Sequence, residues 1–270
     1  MTDRYQKAFD TAATDFERLG EHLWKPIGRA TVERTAPEPG DRVLDACCGN
    51  GASAIPAAVR VGDRGLVDAV DRSPALIEDL RSRASGLTSL ATHAADVTSW
   101  PGRGYDVVQA ALGIFFFPDM AAGTEHLISR ARPGGRAGFT IWRRDAMVAP
   151  GTYLRQAVSR VTGNPPEPRP SGPVEEIDVA GAFRSWLAER GLSDVTVTTH
   201  ELRLAVTPEL AWLVVTGSGF VTVLSGLDEA QTAEVRAVYL DSLLRDGVTE
   251  FDATTLVGVG YSQGSNALVM

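Results

Sequence analysis

The chain has 270 residues and a formal net charge of −8, with 26 Lys and Arg against 34 Asp and Glu. Its 44% hydrophobic residues are enough to bury a sizeable core, which excludes a wholly disordered chain. The acidic balance argues against nucleic acid as a partner, because proteins that track a phosphate backbone usually carry a basic face. Cys47 and Cys48 are adjacent, so they cannot link distant segments, and no apolar stretch reaches the length of a membrane span. We therefore expect a cytoplasmic protein without a disulfide framework or a membrane partner.

Strands and helices are predicted to alternate through the first half of the chain. Residues 1–35 are predicted to form an N-terminal helical cap, because apolar and aromatic side chains recur there on a helical period. Five strands follow in chain order, at RVLDACC, LVDAV, SLATHAA, YDVVQAAL and RAGFTIW. This alternation predicts an α/β fold with a Rossmann-like, doubly wound, mostly parallel sheet, and we assign its core to residues 36–144.

The alternation stops after Trp142. Residues 145–178 contain six prolines, which predict a loop-rich substrate lid and not a long helix or strand. Residues 179–270 are predicted to complete the core, with an antiparallel final strand at FDATTLVGVGY and a helical insertion at 207–246.

The stretch VLDACCGNGASA is predicted to run from a buried strand through a glycine turn into the start of a helix. Glycines at this position let backbone N–H groups approach a ligand closely. The spacing of Gly49, Gly51 and Ala54 fits the dinucleotide-binding fingerprint, with alanine in the third place. On its own this pattern is weak, and it leaves a nicotinamide dinucleotide and S-adenosylmethionine both open.

Three acidic residues, Asp45, Asp71 and Asp96, are predicted to lie at the ends of three successive strands. A carboxylate at Asp45 would repel a pyrophosphate but would favour the cationic ammonium and sulfonium of S-adenosylmethionine. Asp71 lies where an acid accepts both hydroxyls of a ribose, and Asp96 is placed to accept from an adenine amino group. Because the carboxyl ends of parallel strands share one edge of the sheet, the three acids predict a single site.

The order of DACCGNG, VDAVDRS, AADV, YDVVQAALGIFFFPD and RPGGRAGFTIW resembles the class I S-adenosylmethionine-dependent methyltransferases, in particular the small-molecule branch that includes ubiquinone and menaquinone methyltransferase-like enzymes. The resemblance covers residues 40–142 and agrees more loosely at the final strand. It implies S-adenosylmethionine as the cofactor and a cofactor-binding set made of Trp24, Asp45, Cys47, Gly49, Gly51, Asp71, Arg72, Asp96, Val97 and Ala111.

Within that set, the resemblance implies a part of the cofactor for each residue. Gly49 and Gly51 would flank the methionine part, and Ala111 would offer its carbonyl to the ammonium. Arg72 would lie beside the adenine, and Val97 would join Asp96 at the adenine edge.

Two further positions bear on the resemblance. Trp24 lies in the N-terminal segment that covers the cofactor in such enzymes and would pack against it. Cys47 stands where the family more often has glycine, so the backbone has less freedom there than usual.

The reaction predicted is methyl transfer to a small apolar or aromatic acceptor, with a hydroxyl favoured over nitrogen or carbon. His22 is the best candidate for a general base, and no histidine has a second His or Cys at metal-ligand spacing, so we expect no metal. The acceptor walls are predicted to come from residues 5–28, 114–118, 142–178 and 207–246, within or beside which lie Trp24, Trp142, Trp186 and Trp212. Two alternatives stay open, an NAD(P)-dependent oxidoreductase and a non-catalytic S-adenosylmethionine-binding module, and the sequence leaves the oligomeric state open.

Overall fold

A computed structural model describes residues 12–165 and 172–263. The chain begins there with two helices, α1 (Ala13–Gly20) and α2 (Trp24–Thr35). The second ends at Ala36, whose φ of +46° is left-handed, immediately before Pro37. Residues 13–35 are therefore helical with a break at residues 21–23, and the first eleven residues of the predicted cap lie outside the described part of the chain.

The core is an alternation of strands and helices, as the sequence predicts. Its elements are β1 (Arg42–Ala46), α3 (Ala54–Val61), β2 (Leu66–Asp71), α4 (Pro74–Arg83), β3 (Leu90–Ala94), β4 (Tyr105–Ala111), α5 (Met120–Ile128) and β5 (Ala131–Trp142). The second half of the described chain holds α6 (Val148–Thr162), α7 (Ala180–Glu189), β6 (Leu192–His200), β7 (Arg203–Ala205), α8 (Pro208–Thr216), α9 (Glu229–Arg245), β8 (Glu250–Asp252) and β9 (Thr255–Ser262).

Seven strands form the main sheet in the order β3-β2-β1-β4-β5-β9-β6. The strands β1 to β5 pair in parallel, whereas β9 pairs antiparallel with both β5 and β6. Residues of β1, β2 and β4 are almost fully buried because helices cover both faces of the sheet. The mostly parallel Rossmann-like sheet with an antiparallel final strand is thus confirmed. The antiparallel strand β9, which lies between β5 and β6, also departs from the six-stranded parallel order typical of dinucleotide-binding domains.

The predicted loop-rich lid is wrong over residues 148–162, which form the helix α6. Pro150 lies in the first turn of that helix, where its missing N–H costs no hydrogen bond, and Pro165 follows Gly163, whose φ of +73° ends the helix. Leu154 and Ala157 are buried on one face of the helix. Their spacing follows the helical period, which the high proline content of residues 145–178 obscured in the sequence. The remaining prolines either begin a 3₁₀ turn, Pro173–Glu176, or lie outside the described residues.

A second apolar core lies beside the sheet. The helices α6, α8 and α9 pack together with the two-stranded sheet β7-β8 and the 3₁₀ segment Gly219–Leu224. Leu154, Tyr239 and Phe251 are among its fully buried side chains. This helical core supplies one wall of the candidate site.

None of the helices in the described ranges is long and apolar enough to cross a bilayer. Within those same ranges, no three His, Cys, Asp or Glu side chains converge as a metal-binding group would require.

Candidate functional site

The site begins with Asp45, which ends its strand as a fully buried carboxylate. Ser53 Oγ lies 2.9 Å from both carboxylate oxygens, and Gln109 Nε2 donates to one of them over 3.2 Å. Gln109 in turn accepts from Thr35 of α2 over 2.8 Å. Burial raises the pKa of Asp45 to about 7, although the hydrogen bonds from Ser53 and Gln109 oppose that rise. Asp45 therefore anchors the loop 47–53 from within the core, and a role in direct contact with the cofactor stays a prediction.

The loop after β1 is also tied to the end of β2. Gly49 N donates to Asp71 Oδ2 over 2.8 Å, and Gly51 N donates to the Cys48 carbonyl over 2.9 Å. The other oxygen of Asp71 accepts from Ser73 N over 2.9 Å. Asp71 therefore joins the glycine turn to the start of α4, so its carboxylate is held in place before any ligand binds.

A small pocket of about 60 Å³ lies at the ends of β2 and β3. Asp71, Arg72, Asp96 and Val97 line it, together with the ring of Phe117. The structure thus brings together the four residues that the sequence analysis assigned to the ribose and adenine. Phe117 was not predicted for this pocket, because it belongs to a run of three phenylalanines whose individual directions the sequence leaves undecided.

Asp96 is an ionised acceptor at the rim of this pocket. Its Oδ1 accepts from Thr98 N over 2.9 Å and from Thr98 Oγ1 over 2.6 Å, and Arg72 Nη1 lies 3.7 Å from its Oδ2. Burial raises the pKa of Asp96, but the Thr98 hydrogen bonds and the Arg72 guanidinium outweigh it, so that the pKa lies below its usual value.

A second small pocket, of about 50 Å³, lies on the other side of the glycine turn. It is lined by Phe16, Trp24, Cys47, Ile27, Cys48, Gly49, Asn50, Ala52, Ser53, Ala111 and Leu112. Four members of the predicted cofactor set therefore meet here: Trp24, Cys47, Gly49 and Ala111. Phe16 was missed as a site residue, because its place on the apolar face of a helix gave no signal of a ligand; its ring stacks on Trp24 with centroids 5.0 Å apart.

Trp24 carries an unsatisfied donor at this second pocket, which we call the methionine pocket after the part of the cofactor that the sequence analysis assigned to its residues. Its Nε1 is buried and has no hydrogen-bond partner within the described structure. A buried donor left unpaired is costly, so the indole N–H fits a site that receives an acceptor from a ligand. S-adenosylmethionine matches the two pockets, since it has a carboxylate at its methionine end and ribose hydroxyls and an amino group at its adenosine end.

Cys47 lines both pockets and also a larger cavity that adjoins them. Its φ of +55° is left-handed, which is the conformation that the more usual glycine would adopt without strain. Gly113 makes room for the side chain: a Cβ built on Gly113 would lie 2.4 Å from Cys47 Cβ and 2.7 Å from Sγ. Burial, reinforced by the nearby charges of Asp71, Asp45 and Asp96, raises the pKa of the Cys47 thiol well above its usual value. The thiol therefore stays protonated near neutral pH and is unsuited to act as a nucleophile or base.

The larger cavity has a volume of about 370 Å³ and is mainly apolar. Its lining comes from six parts of the chain: Phe16, Trp24; Cys47; Leu76; Ala111, Leu112, Gly113, Phe115, Phe116; Trp142, Ala146, Met147, Val148, Arg155; and Ser218, Gly219, Phe220, Thr222, Val223. Each segment predicted to wall the acceptor site contributes to it. Trp186 and Trp212 do not line the cavity. The Trp186 ring instead lies 3.9 Å from the Arg190 guanidinium, and the Trp212 ring lies 6.2 Å from the ring of Tyr239.

His22 is not brought to this cavity. It is exposed and lines a separate surface groove with Arg18, Glu21 and Arg203. The break between α1 and α2 explains its position: Leu19 and Leu23 turn into the core, whereas Glu21 and His22 in the break between the helices face outwards. The hypothesis that His22 is the general base therefore gains no support from the geometry.

Comparisons with known proteins agree with this geometry. A family model described as a methyltransferase domain matches residues 43–135. Aklanonic acid methyltransferase DauC from Streptomyces sp. (strain C5) is 36% identical over 138 residues, which cover 50% of this chain and 63% of that protein. Nocamycin O-methyltransferase from Saccharothrix syringae is 32% identical over 136 residues, covering 49% of each. The matches therefore span less than two thirds of either relative.

Residues 43–135 are thus the part of the chain that is similar to a methyltransferase domain. The likeness in fold extends beyond that segment: the crystal structure of YcgJ from Bacillus subtilis covers 88% of this chain and 98% of its own, with a TM-score of 0.57 at 13% identity. At such identity the likeness concerns the fold alone. The matched residues 43–135 hold nearly all of β1, the strands β2 to β4 and the start of β5. Phe16, Trp24 and Ile27 of the second pocket precede them, and much of the large cavity is formed by later residues.

Proposed function

We propose that this protein transfers the methyl group of S-adenosylmethionine to an oxygen of a small apolar or aromatic acceptor. One observation carries the proposal: the methionine pocket and the large cavity share the lining residues Phe16, Trp24, Cys47, Ala111 and Leu112. A methyl group presented from the first would therefore face an acceptor held in the second. The names of the two relatives, one a methyltransferase of aklanonic acid and the other an O-methyltransferase, support a small-molecule acceptor.

Each of the ten predicted cofactor residues has a place in this proposal. Asp71 would accept the ribose hydroxyls, with Arg72, Asp96 and Val97 around the adenine. Trp24 would donate its free N–H at the methionine end. The remaining members support or border the methionine pocket, and they are Asp45, Cys47, Gly49, Gly51 and Ala111.

The chemistry requires little from the protein beyond positioning. When bound, the cofactor supplies a methyl group on a sulfonium: the acceptor oxygen forms the new bond to carbon, the carbon–sulfur bond breaks, and the sulfur keeps the electron pair. The cavity walls would hold the acceptor oxygen in line with the methyl group and the sulfur, and most of the rate enhancement would arise from this positioning. Among the described residues that line the cavity there is no His, Asp, Glu, Lys or Tyr. The proton of the acceptor therefore leaves to water, or the acceptor arrives already ionised.

Calorimetry with S-adenosylmethionine, S-adenosylhomocysteine and NAD tests cofactor identity, and transfer of labelled methyl to a panel of phenols tests the reaction. We expect the two sulfur compounds to bind, NAD not to bind, and at least one phenol to be methylated. Binding of NAD in preference to S-adenosylmethionine would overturn the assignment in favour of an oxidoreductase. Tight cofactor binding without transfer to any acceptor would favour a non-catalytic module.

A further inference from the structure

The loop that carries Asp96 into the small pocket at the ends of β2 and β3 is held from behind by Trp100. We call this space the adenosine pocket, after the part of the cofactor that the proposed function puts there. A 3₁₀ turn, Val97–Ser99, leads directly from Asp96 to Trp100. The Trp100 carbonyl accepts from His126 Nε2 over 3.1 Å, and its indole Nε1 donates to Tyr105 Oη over 2.9 Å. Trp100 therefore ties the pocket loop to α5 on one side and to the start of β4 on the other.

The Tyr105 hydroxyl is the centre of a buried polar cluster. Besides accepting from Trp100, it donates to Asp68 Oδ2 over 2.9 Å, and Tyr105 is almost fully buried. Burial raises the pKa of Tyr105 to about 12, so the hydroxyl keeps the proton that it donates. His93 Nε2 lies 2.9 Å from the other oxygen of Asp68, and the His93 ring lies 4.7 Å from the Trp100 ring. The four side chains thus close a ring of contacts that joins β2, β3 and β4 to the loop.

Gly102 brings the loop directly over the hydrogen bond between Trp100 and Tyr105. A Cβ built on Gly102 would lie 2.3 Å from Tyr105 Oη and 2.6 Å from Trp100 Nε1. Both distances are far below a van der Waals contact, so any larger residue would have to displace the loop or break the bond. The path of the loop and the position of the Tyr105 hydroxyl therefore depend on each other.

Asp96 is the group whose position this arrangement controls. Its Oδ1 accepts twice from Thr98, and its Oδ2 lies 3.7 Å from Arg72 Nη1. An ionised carboxylate accepts hydrogen bonds and donates none. At the edge of a base it therefore favours the amino group of adenine and disfavours the oxygen that hypoxanthine carries at the same position. Because hydrogen bonds weaken steeply when their geometry is poor, that preference depends on where the loop holds the carboxylate.

We propose that the Tyr105 hydroxyl is a positioning group for base recognition: through Trp100 it holds the loop 95–100 where Asp96 selects adenine over a base with a 6-oxo group. Tyr105 does not line the adenosine pocket, so it acts on the cofactor only through the loop. Without the hydroxyl, Trp100 Nε1 and Asp68 Oδ2 each lose a partner, and the loop loses this bond to β4. The inference rests on the proposed function for the ligand of the pocket, but its own content is the choice of base.

Two ligands that differ only at the base test this role separately from turnover. The affinities of S-adenosylhomocysteine and S-inosylhomocysteine are measured by calorimetry for the parent protein and for Tyr105→Phe, Gly102→Ala and Tyr239→Phe, and thermal unfolding checks that each variant is folded. Gly102→Ala disturbs the same hydrogen bond from the loop and leaves the hydroxyl in place. Tyr239→Phe is the matched control, because the Tyr239 hydroxyl is also buried but donates to the Ala211 carbonyl over 3.4 Å in the helical core, and Tyr239 does not line the adenosine pocket.

We expect the parent to bind S-adenosylhomocysteine about 10–100-fold more tightly than S-inosylhomocysteine, the scale of a hydrogen bond to a charged group. Tyr105→Phe and Gly102→Ala should each reduce that ratio by roughly 3–10-fold, mainly through weaker binding of S-adenosylhomocysteine, whereas Tyr239→Phe should leave it within about twofold.

Equal binding of the two compounds by the parent would overturn the inference. So would an unchanged ratio in either folded variant, an equal loss of affinity for both compounds, or a similar fall of the ratio in Tyr239→Phe. If Tyr105→Phe does not fold, the ratio in Gly102→Ala decides in the same way. Failure of the parent to bind S-adenosylhomocysteine would overturn the proposed function and, with it, this inference.

Discussion

The two sides of the site are built in different ways. On the cofactor side, loops after parallel strands place acidic side chains whose oxygens are already fixed by hydrogen bonds, as Asp71 is by Gly49 and Ser73. On the acceptor side, α6 and the 3₁₀ segment Gly219–Leu224 line a mainly apolar cavity, and Arg155 is the one charged side chain among the described residues of its lining. A hydrogen-bonded site discriminates strongly between ligands, because a ligand that does not match leaves a buried polar group unpaired. An apolar wall tolerates substitutions that conserve the volume of the side chain. The comparison therefore predicts that cofactor-side substitutions are severe and that acceptor-side substitutions change selectivity.

The largest expected effect is on the pH dependence of stability, and it arises from the fully buried carboxyl group of Asp45. Among the described residues, the helical core contains no buried Asp or Glu. The unfolded chain loses the Asp45 proton near pH 4, but the folded protein keeps it until its pKa of about 7. Between these values a rise in pH favours the unfolded state, so the free energy of unfolding should fall by roughly 2–4 kcal/mol from pH 4.5 to 8 and change little above that. Asp45→Asn should flatten this decline, as followed by urea denaturation at several pH values.

The exposed carboxyl of Asp241 on α9 provides the control for that experiment. Asp241→Asn should retain the decline seen in the parent. A parent protein whose stability rises steadily from pH 4.5 to 8 would show that Asp45 is ionised throughout.

The second effect is on cofactor affinity. Asp71→Ala should weaken S-adenosylmethionine binding by about 1.5–3 kcal/mol, because it removes the proposed ribose acceptor and releases Gly49 N from its partner. Calorimetry on the folded variant measures the loss. The exposed Asp63, at the turn between α3 and β2, is a suitable control, and Asp63→Ala should bind as the parent does. Unchanged affinity in Asp71→Ala would contradict the ribose assignment.

The third effect concerns the contact between Gly113 and Cys47, which lies where the cofactor side and the acceptor side meet. Gly113→Ala should destabilise the protein by about 1–3 kcal/mol, since the new methyl group would overlap Cys47 Cβ at 2.4 Å. Adding Cys47→Gly should recover most of that loss, because it removes the overlapping atoms and suits the left-handed backbone. A double-mutant cycle of unfolding free energies measures the coupling, and purely additive effects would show that the two side chains do not share this space.

The smallest effect is expected at His22. Its exposed position in a separate groove leads us to expect that His22→Ala changes the rate of methyl transfer by less than about twofold, well below the 10²–10⁴-fold contribution of a general base. Rates measured from pH 6 to 8 should follow the same profile in parent and variant. A loss of tenfold or more would restore His22 as the base and would require the N-terminal helices to move over the cavity.

Sequence alone determined the cofactor side of the molecule. The order of strands, the glycine turn and the acids at strand ends are local features, and the parallel topology carries them to one edge of the sheet. For this reason the strand-end acids Asp71 and Asp96 are predicted to share one site, to which the family resemblance adds Arg72 and Val97, and the structure brings these four residues together in one pocket. The glycine turn predicts Gly49 at the site and the resemblance adds Cys47 and Ala111, and these three residues line the neighbouring pocket.

Tertiary structure decided the acceptor side and the helix that walls it. The prolines near α6 suggested a loop, yet Pro150 occupies the one turn of a helix where proline costs nothing. Arg155, Phe220 and Val223 come from separate segments that meet only through packing between helices, and such packing leaves no fixed spacing in the chain. The tertiary structure also decides which way the side chains of His22 and Phe16 point, although the two residues are only six positions apart. The backbone break at residues 21–23 turns His22 outward, whereas Phe16 stacks on Trp24 at the pocket.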